Sequence, residues 1–361
     1  MPESSIVVRP QPMDSETYTA SSRLQAAGLA PAIAVFERAA GEVPLPTAPQ
    51  PIVLADYGAG TGHNSLLPLG AAIKVLRSRT SAEHSVLVAH TDIPDNDFTA
   101  MFRTIEEDPD TYLRKDPATF ASAVGRSFYG QIMPSNSVHL GWSSWAIQWL
   151  SRTPAEIDGH VHISDCTDSQ VQAAFARQAA HDWHEFIAFR GRELGPGGRL
   201  VVMTMAVGED DEVGFRPLLR AIDDALEELA GDDVITSDEL AGMCIPTVSR
   251  REVDFTAPFA PSGRFERLEI EHLEVFDAED RFWERYRADG NATAFGARWA
   301  AFARAAVFPA LLTALPDGTD EQRVGELFDR LEAGISERMG AAPEQVRIPL
   351  AHVVLVKRPR T

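Results

Sequence analysis

Runs of apolar residues that end in an acid mark the first part of the chain. Residues 52–55 form one such run before Asp56, and residues 86–89 begin a second that ends at Asp92. Between them, residues 65–77 place apolar side chains at helical spacing. Strand, glycine-rich turn and helix in this order form the opening unit of a nucleotide-binding α/β sheet. The pattern therefore predicts two neighbouring parallel strands whose carboxyl ends face one crevice.

The later pattern predicts further strands with helices between them. Period-two or continuous apolar runs predict strands at 137–144, 199–205, 264–276 and 347–357. Helical spacing covers 15–37, 98–113, 168–194, 281–315 and 319–339. Residues 145–151 are expected to begin another helix, with Trp145 and Trp149 on one face because they are four apart. Breakers predict a linker at 38–51, a loop at 123–130 and a turn at 195–198.

This arrangement predicts three regions. Residues 1–50 would form an N-terminal arm and a helix that closes the site. The sheet core would comprise residues 51–206, 262–276 and 346–361, the last two strands forming an antiparallel edge pair. Residues 207–261 and 277–345 would form a helical cap lobe over the crevice.

The glycine-rich turn narrows the class of ligand. A dinucleotide fingerprint would read G-x-G-x-x-G with an acid about 20 residues later. Here Gly58, Gly60 and Gly62 alternate, Asp56 precedes them, and no basic residue follows until Lys74, so nothing awaits a pyrophosphate. A D-x-G-x-G-x-G turn resembles motif I of class I methyltransferases, which bind S-adenosylmethionine (SAM). Asp92 would then accept the two ribose hydroxyls.

Composition excludes several other classes. The chain has 361 residues, 44% of them hydrophobic, which suffices for one large core with an appended lobe. The net charge of −20 argues against nucleic acid as a partner, since phosphate binding needs clustered Lys and Arg. Cys166 and Cys244 are too few for a disulfide framework or a thiolate metal site. No run reaches the roughly 18 apolar residues of a membrane span, and no signal peptide is evident, which predicts a cytoplasmic protein.

Four blocks in chain order resemble one family. They read ADYGAGTGHN at 55–64, TDIPDNDF at 91–98, GRSFYGQIMPSNSVH at 125–139 and SSWAIQWLS at 143–151. The resemblance is to the SABATH family of plant-type carboxyl methyltransferases, which methylate salicylate, benzoate, jasmonate and related acids, and the chain resembles a bacterial homologue. It implies an α/β class I methyltransferase fold, a Rossmann-like, mostly parallel seven-stranded sheet with an α-helical cap lobe. It also implies SAM as cofactor and a homodimer.

The resemblance also implies roles for individual residues. Those matching the cofactor contacts of the family are Tyr18, Ser22, Asp56, Gly58, Gly60, Asn64, Asp92, Ile93, Ser127 and Phe128. Gln25 and Trp149 match the two side chains that orient the substrate carboxylate, and Trp145 and Gln148 match variable positions of the substrate pocket. The chain departs from the family where residues 9–14 read RPQPMD instead of a G-G-x-G element. Asp165 replaces an asparagine that some members place near magnesium, and no metal site is predicted.

The chemistry of carboxyl methylation needs few groups. A carboxylic acid has a pKa near 4, so at neutral pH it is already a nucleophile and needs no base. Neutral donors such as Gln25 and Trp149 can orient it, whereas an arginine would stabilise the ground-state anion more than the transition state. We therefore expect His90 and His139 to be structural, and we expect direct SN2 formation of methyl esters of small, largely apolar acids.

Three alternatives remain at this point. The first is N-methylation of a xanthine-like ring, which a panel of acid and amine substrates separates from ester formation. The second is a catalytically silent SAM-binding or scaffold protein, and the third is a nicotinamide dehydrogenase.

Overall fold

A seven-stranded sheet runs through the part of the protein that the computed structural model describes, namely residues 15–316 and 318–359, with side chains from residue 29 onward. Its strands are β1 (Ile52–Tyr57), β2 (Val86–Asp92), β3 (Thr119–Gly125), β4 (Val138–Ser144), β5 (Leu194–Met205), β6 (Leu268–Asp277) and β7 (Pro349–Lys357). Their order across the sheet is β3-β2-β1-β4-β5-β7-β6. The first five are parallel, and β7 is antiparallel to both neighbours. The predicted sheet is confirmed.

The strand order reverses between β1 and β4. From β1 the chain moves outward through β2 and β3, and it then returns to the other side of β1 with β4 and β5. In open α/β sheets, ligands bind outside the carboxyl ends of the strands at such a reversal. The carboxyl ends of β1, β2 and β4 therefore define where a site is expected.

Helices occupy most of the remaining chain. They are α1 (Ser15–Glu42), α2 (His63–Arg77), α3 (Phe98–Glu107), α4 (Tyr112–Lys115), α5 (Ser169–Glu193), α6 (Arg216–Gly231), α7 (Ser237–Gly242), α8 (Glu252–Thr256), α9 (Arg281–Asp289), α10 (Ala292–Ala306), α11 (Phe308–Leu311) and α12 (Glu321–Ala341). Several begin at an acidic cap. The Asp168 carboxylate accepts the Gln170 N–H at 2.7 Å before α5, and Asp97 accepts the Ala100 N–H at 2.9 Å before α3.

Both faces of the sheet are covered. Leu54 of β1 lies in a hydrophobic core that includes side chains of α1, α2, α6, α10 and α12, and α12 packs against both α6 and α10. Ala55, the next residue, faces the opposite core with Trp183 and Phe186 of α5. This alternation follows from the period of two along a strand, and it explains why β1 reads as a continuous apolar run.

Two predicted helices and one predicted loop have different bounds in the structure. α1 continues to Glu42 because Ala39 and Ala40 extend its buried face, so the linker after it is shorter than 38–51. Residues 98–113 are two helices, since Pro109 disfavours helical backbone at Asp108. Residues 123–125, expected in a loop, end strand β3. Within the described residues this edge strand pairs with β2 alone, and its mostly small, partly exposed side chains give little apolar signal.

Residues 145–151 are not helical. Trp145 has φ 54°, and its backbone N–H donates to the Met203 carbonyl at 3.1 Å. Trp149 forms a β-bridge with Thr247. The expectation that Trp145 and Trp149 share a helical face is therefore wrong. Bonds to distant segments override the local helical spacing. Residues 195–198, expected as a turn, instead lie within β5 at a register shift against β4.

Candidate active site

The glycine turn, residues 58–62, lies at the carboxyl end of β1. Gly58, Gly60 and Gly62 all have positive φ, at 84°, 54° and 82°. The Gly58 N–H donates to the Thr91 carbonyl of β2 at 2.9 Å, which fixes the turn on the neighbouring strand. A Cβ atom at Gly60 would meet no atom within 4 Å. The backbone at Gly60 is therefore open to close approach by a ligand.

Asp92 lies beside the open face of this turn. Its Oδ2 accepts the Gly60 N–H at 2.7 Å and its Oδ1 accepts the Ile93 N–H at 2.8 Å. Burial raises the pKa of Asp92, and these two hydrogen bonds oppose that shift. Asn96, which sequence reasoning missed, donates to the Gly60 carbonyl at 2.9 Å. The partly buried Asp92 carboxylate thus lies next to the open backbone at Gly60, and Ile93 is the residue that follows Asp92.

Asp56 takes a different position from the one expected for a ligand contact. Its carboxylate is 1% exposed, and its Oδ2 lies 2.8 Å from His90 Nδ1. His90 Nε2 lies 2.7 Å from the Tyr112 hydroxyl, and both residues are buried. The Asp56 side chain therefore forms part of an internal polar chain, and His90 is a structural histidine as expected. Asn64 is half-buried in the first turn of α2, next to the glycine turn.

Ser127 and Phe128 lie in the loop that follows β3. The Phe128 ring borders the glycine turn, since its Cε1 is 3.5 Å from the position of a Cβ at Gly58. It also packs against Tyr129 and Phe186, with centroid distances of 4.7 and 5.9 Å. Ser127 is exposed, and its Oγ accepts the Tyr129 N–H at 3.3 Å. The Phe128 ring thus lies against the glycine turn, and Ser127 precedes it in the same loop.

A buried ion pair on α5, which no sequence pattern indicates, stabilises this loop. Arg190 Nη1 donates to the Phe128 carbonyl and Nη2 to the Gly130 carbonyl, both at 2.8 Å. Glu193 Oε1 accepts from Arg190 at 2.8 Å and from the Ile132 N–H at 2.5 Å. Both ionic side chains are fully buried. An amphipathic helix with an aromatic stripe predicts only packing, so this polar function of α5 was missed.

The same carboxylate reaches the first strand. Glu193 Oε2 accepts the Tyr57 hydroxyl at 2.7 Å, and the Arg190 guanidinium lies 4.2 Å from the centre of the Tyr57 ring. Burial raises the pKa of Tyr57 well above its usual value, so the hydroxyl remains a donor. One buried carboxylate therefore connects the end of β1 with the loop that carries Phe128.

The indole turn, residues 145–149, follows β4 and touches the glycine turn. A Cβ at Gly58 would lie 2.4 Å from the Ala146 Cβ, so only glycine allows this approach. Trp145 and Trp149 are half-buried. The Trp145 indole N–H is buried and has no hydrogen-bond partner within the described part of the chain. Gln148 is buried, and its amide donates to the Trp145 carbonyl at 2.7 Å and accepts from Thr204 at 3.3 Å, so it is bonded within the protein.

Tyr18, Ser22 and Gln25 belong to α1, but their side chains lie outside the described residues. Their roles stay predictions.

Asp165 forms an ion pair with Arg216. Its carboxylate accepts from Arg216 at 3.1 Å and from the Ser164 hydroxyl at 3.2 Å. In the described ranges, no three His, Cys, Asp or Glu side chains cluster in a way that could bind a metal ion. Likewise, none of the helices that the structure describes is long and apolar enough to cross a membrane.

The mostly parallel seven-stranded sheet, with a glycine turn at the carboxyl end of β1, defines the class I methyltransferase fold. Residues 9–358 match the family described as SAM dependent carboxyl methyltransferase, and the chain belongs to that family. It is 28% identical over 302 residues to salicylate carboxymethyltransferase of Clarkia breweri, covering 80% of each chain. It is 25% identical to anthranilate O-methyltransferase 1 of Zea mays, over 75% of this chain and 76% of the relative.

A solved structure, loganic acid methyltransferase with SAH, shares the fold. Its TM-score is 0.76 at 21% sequence identity, with 97% of this chain and 99% of that chain covered. The predicted family, fold and cofactor are confirmed. The protein is an enzyme of carboxyl O-methylation, and SAM supplies the methyl group as an already activated sulfonium substituent.

Proposed function

We propose that the enzyme forms methyl esters of small, largely apolar carboxylic acids. The observation that carries this proposal is the contact between the glycine turn and the indole turn at Gly58 and Ala146. Because of this contact, the indole turn that carries Trp149 borders the glycine turn. Trp149 is the residue that we expect to donate a hydrogen bond to the substrate carboxylate. Methyl donor and acceptor must meet within about 3.5 Å for direct transfer, which two touching turns at the strand reversal allow.

The open face of the glycine turn supports the placement of the cofactor. Gly60 has unfilled space beside it, and Asp92 keeps acceptor capacity after bonding two backbone amides. We assign Asp92 to the ribose hydroxyls and Phe128 to packing beside the glycine turn. Ser127, Ile93 and Asn64 are assigned to the rim of the same site, and Tyr18 and Ser22 are proposed as further cofactor contacts.

The acceptor needs orientation but no base. A carboxylate is ionised at neutral pH, so the residues of the chain only have to fix its oxygen toward the methyl group. Trp149 and Gln25 are neutral donors suited to this task. The nearby histidine His90 is bonded to Asp56 and Tyr112, and burial lowers the pKa of His139, whose Nδ1 accepts the Val53 N–H. Neither is free to act as a base.

We infer an apolar substrate from the residues assigned to the substrate pocket. Trp145 and Trp149 are both half-buried, and Gln148 is bonded within the protein, so the surface offered to a ligand beyond the carboxylate is mainly aromatic. The relatives named for salicylate and anthranilate act on small ring-bearing acids of this kind. We further propose a cytoplasmic homodimer, with residues 207–261 and 277–345 as the cap lobe.

A substrate panel tests the proposal. Purified protein is incubated with SAM and benzoate, salicylate, anthranilate, gibberellic acid, octanoate or xanthine, and products are identified by mass spectrometry. We expect methyl esters of the acids with aromatic rings and no methylated xanthine.

Two indole variants complete this test. Trp149→Phe removes the N–H but keeps an aromatic ring, so it should lower kcat/KM for the best acid about tenfold or more while SAM affinity stays within twofold. Trp145→Phe is the matched control, and we expect it to change the preference among acids rather than the overall rate. Tight SAM binding without ester formation from any acid, or N-methylxanthine as the product, would overturn the proposal.

A further inference from the structure

Three side chains donate hydrogen bonds to backbone carbonyls of the indole turn. Gln148 Nε2 donates to the Trp145 carbonyl at 2.7 Å, Arg250 Nη1 to the Ile147 carbonyl at 2.6 Å, and the Tyr129 hydroxyl to the Trp149 carbonyl at 2.5 Å. Trp145 adopts φ 54°, which a tryptophan accepts only when its surroundings impose it. The direction in which Trp149 leaves the turn is therefore set by these donors.

Arg250 is the donor that connects the most elements. It is 1% exposed, and its Nη2 also donates to the Ala179 carbonyl of α5 at 3.2 Å. Its own backbone extends the end of β5, because its N–H bonds the Met205 carbonyl at 3.4 Å and its carbonyl accepts the Val207 N–H at 3.0 Å. A single side chain thus ties the indole turn to both α5 and β5.

Charges around Arg250 compensate its burial. Asp182, Asp254 and the Tyr129 hydroxyl favour the cation, whereas desolvation lowers the pKa of Arg250. Asp182 in turn accepts the Ser151 N–H at 2.8 Å and the Ser151 hydroxyl at 2.7 Å, just beyond the turn. Guanidinium suits this place because its fixed fork reaches two carbonyls at once, which a lysine ammonium on a flexible stem does not reproduce.

We propose that Arg250 is a positioning residue for the methyl acceptor, acting through the turn that presents Trp149. The inference rests on the proposed role of Trp149 in orienting the carboxylate. It also explains how the positively charged Arg250 can support the substrate site without contacting the substrate. The cation bonds backbone carbonyls behind the site, where it does not pair with the acid, so the donors that meet the acid remain neutral.

The test is a double-mutant cycle of Arg250→Lys and Trp149→Phe. Benzoate serves as the acid unless the panel identifies a faster one, and SAM affinity is measured by calorimetry. Arg250→Lys should lower kcat/KM for the acid by about tenfold to a hundredfold, because a misplacement of about 1 Å can cost that much. SAM affinity should stay within twofold. In the Trp149→Phe background the same substitution should cost less than threefold, because the donor it positions is already gone.

Arg190→Lys is the matched control. It is also a buried arginine with two carbonyl partners, but they belong to Phe128 and Gly130 on the cofactor side, so it should weaken SAM binding. If Arg250→Lys fails to fold, Tyr129→Phe removes the hydroxyl that donates to the Trp149 carbonyl and also interacts with Arg250, and it should lower kcat/KM in the same direction.

The outcomes separate the two proposals. Additive effects in the cycle, or parallel loss of SAM affinity and kcat/KM, would overturn the role of Arg250. Unchanged kcat/KM in Trp149→Phe alone would instead overturn the proposed role of Trp149.

Discussion

Asp92 offers the most direct test of the cofactor site. A carboxylate has about four acceptor positions, and two are taken by the N–H groups of Gly60 and Ile93. Two remain, which matches the two hydroxyls of a ribose. Each hydrogen bond to a charged acceptor contributes about 1.5–3 kcal/mol, so losing both costs about 3–6 kcal/mol. Asp92→Ala should therefore raise the Kd for SAM by about a hundredfold to ten-thousandfold.

Asp92→Asn makes the prediction sharper. Its single carboxamide oxygen cannot accept from both Gly60 and Ile93, because the other end of the amide is itself a donor. We expect SAM affinity to fall by at least about a hundredfold in calorimetry. Asp97→Asn is the control, since Asp97 caps α3 five residues later and asparagine caps equally well. Equal SAM affinity in Asp92→Asn and the wild type would refute the reasoning.

The pH dependence gives a second readout of the same group. Burial raises the pKa of Asp92 above that of an ordinary aspartate, and ribose hydroxyls bond the ionised form. SAM affinity should thus fall as the pH drops through this raised pKa, at a higher pH than for an exposed aspartate. In the absence of cofactor the sign for folding is opposite. The group favours the folded state below its ordinary pKa, and this contribution disappears as the pH rises through the raised value.

Three further predictions concern the glycine turn, the buried ion pair on α5, and His162, a buried residue between β4 and α5 in the chain. Gly58→Ala should destabilise the fold by more than about 2 kcal/mol, because its methyl group would overlap Ala146. Gly60→Ala should lower the free energy of unfolding by about 1 kcal/mol and should mainly weaken SAM binding. Chemical denaturation compares the stability of the two variants. Glu193→Gln should destabilise by about 3–5 kcal/mol, since the buried Arg190 loses its counter-charge, and a variant as stable as wild type in urea would contradict this. Burial lowers the pKa of His162 to about 4, so stability should fall between pH 7 and pH 5 by about 2 kcal/mol on account of this group, and His162→Gln should flatten that part of the profile in denaturation measured at both pH values.

The central strands and the cofactor turn could be predicted from sequence because local rules and tertiary structure agree there. The first four residues of β1 and of β2 are all apolar since both faces of the sheet are covered, and the alternating glycines are required by their positive φ. Asp92 could be placed because parallel strands bring their carboxyl ends to one edge. The sheet topology and a short motif together are sufficient to predict where these residues lie.

Other features depend on contacts between distant segments. The spacing of Trp145 and Trp149 is helical, yet bonds from Met203 and Thr247 hold the chain in a turn. Arg190 and Arg250 are far from the motifs, and a charged residue in a helix or loop gives no sign that it will be buried. β3 was missed because an edge strand of small residues has no strong pattern. The bond between the Asp56 side chain and His90 could not be predicted either, because it joins residues of two different strands.

The position of β7 has a consequence for how the enzyme is made. All nine of its residues are buried, and it pairs with β5 on one side and β6 on the other. On the ribosome β5 emerges long before β7, since every helix from α6 to α12 is synthesised between them. During that interval β5 exposes an unpaired apolar edge of the kind that invites aggregation. Nascent chains of this enzyme should therefore require chaperone protection until translation has passed Lys357.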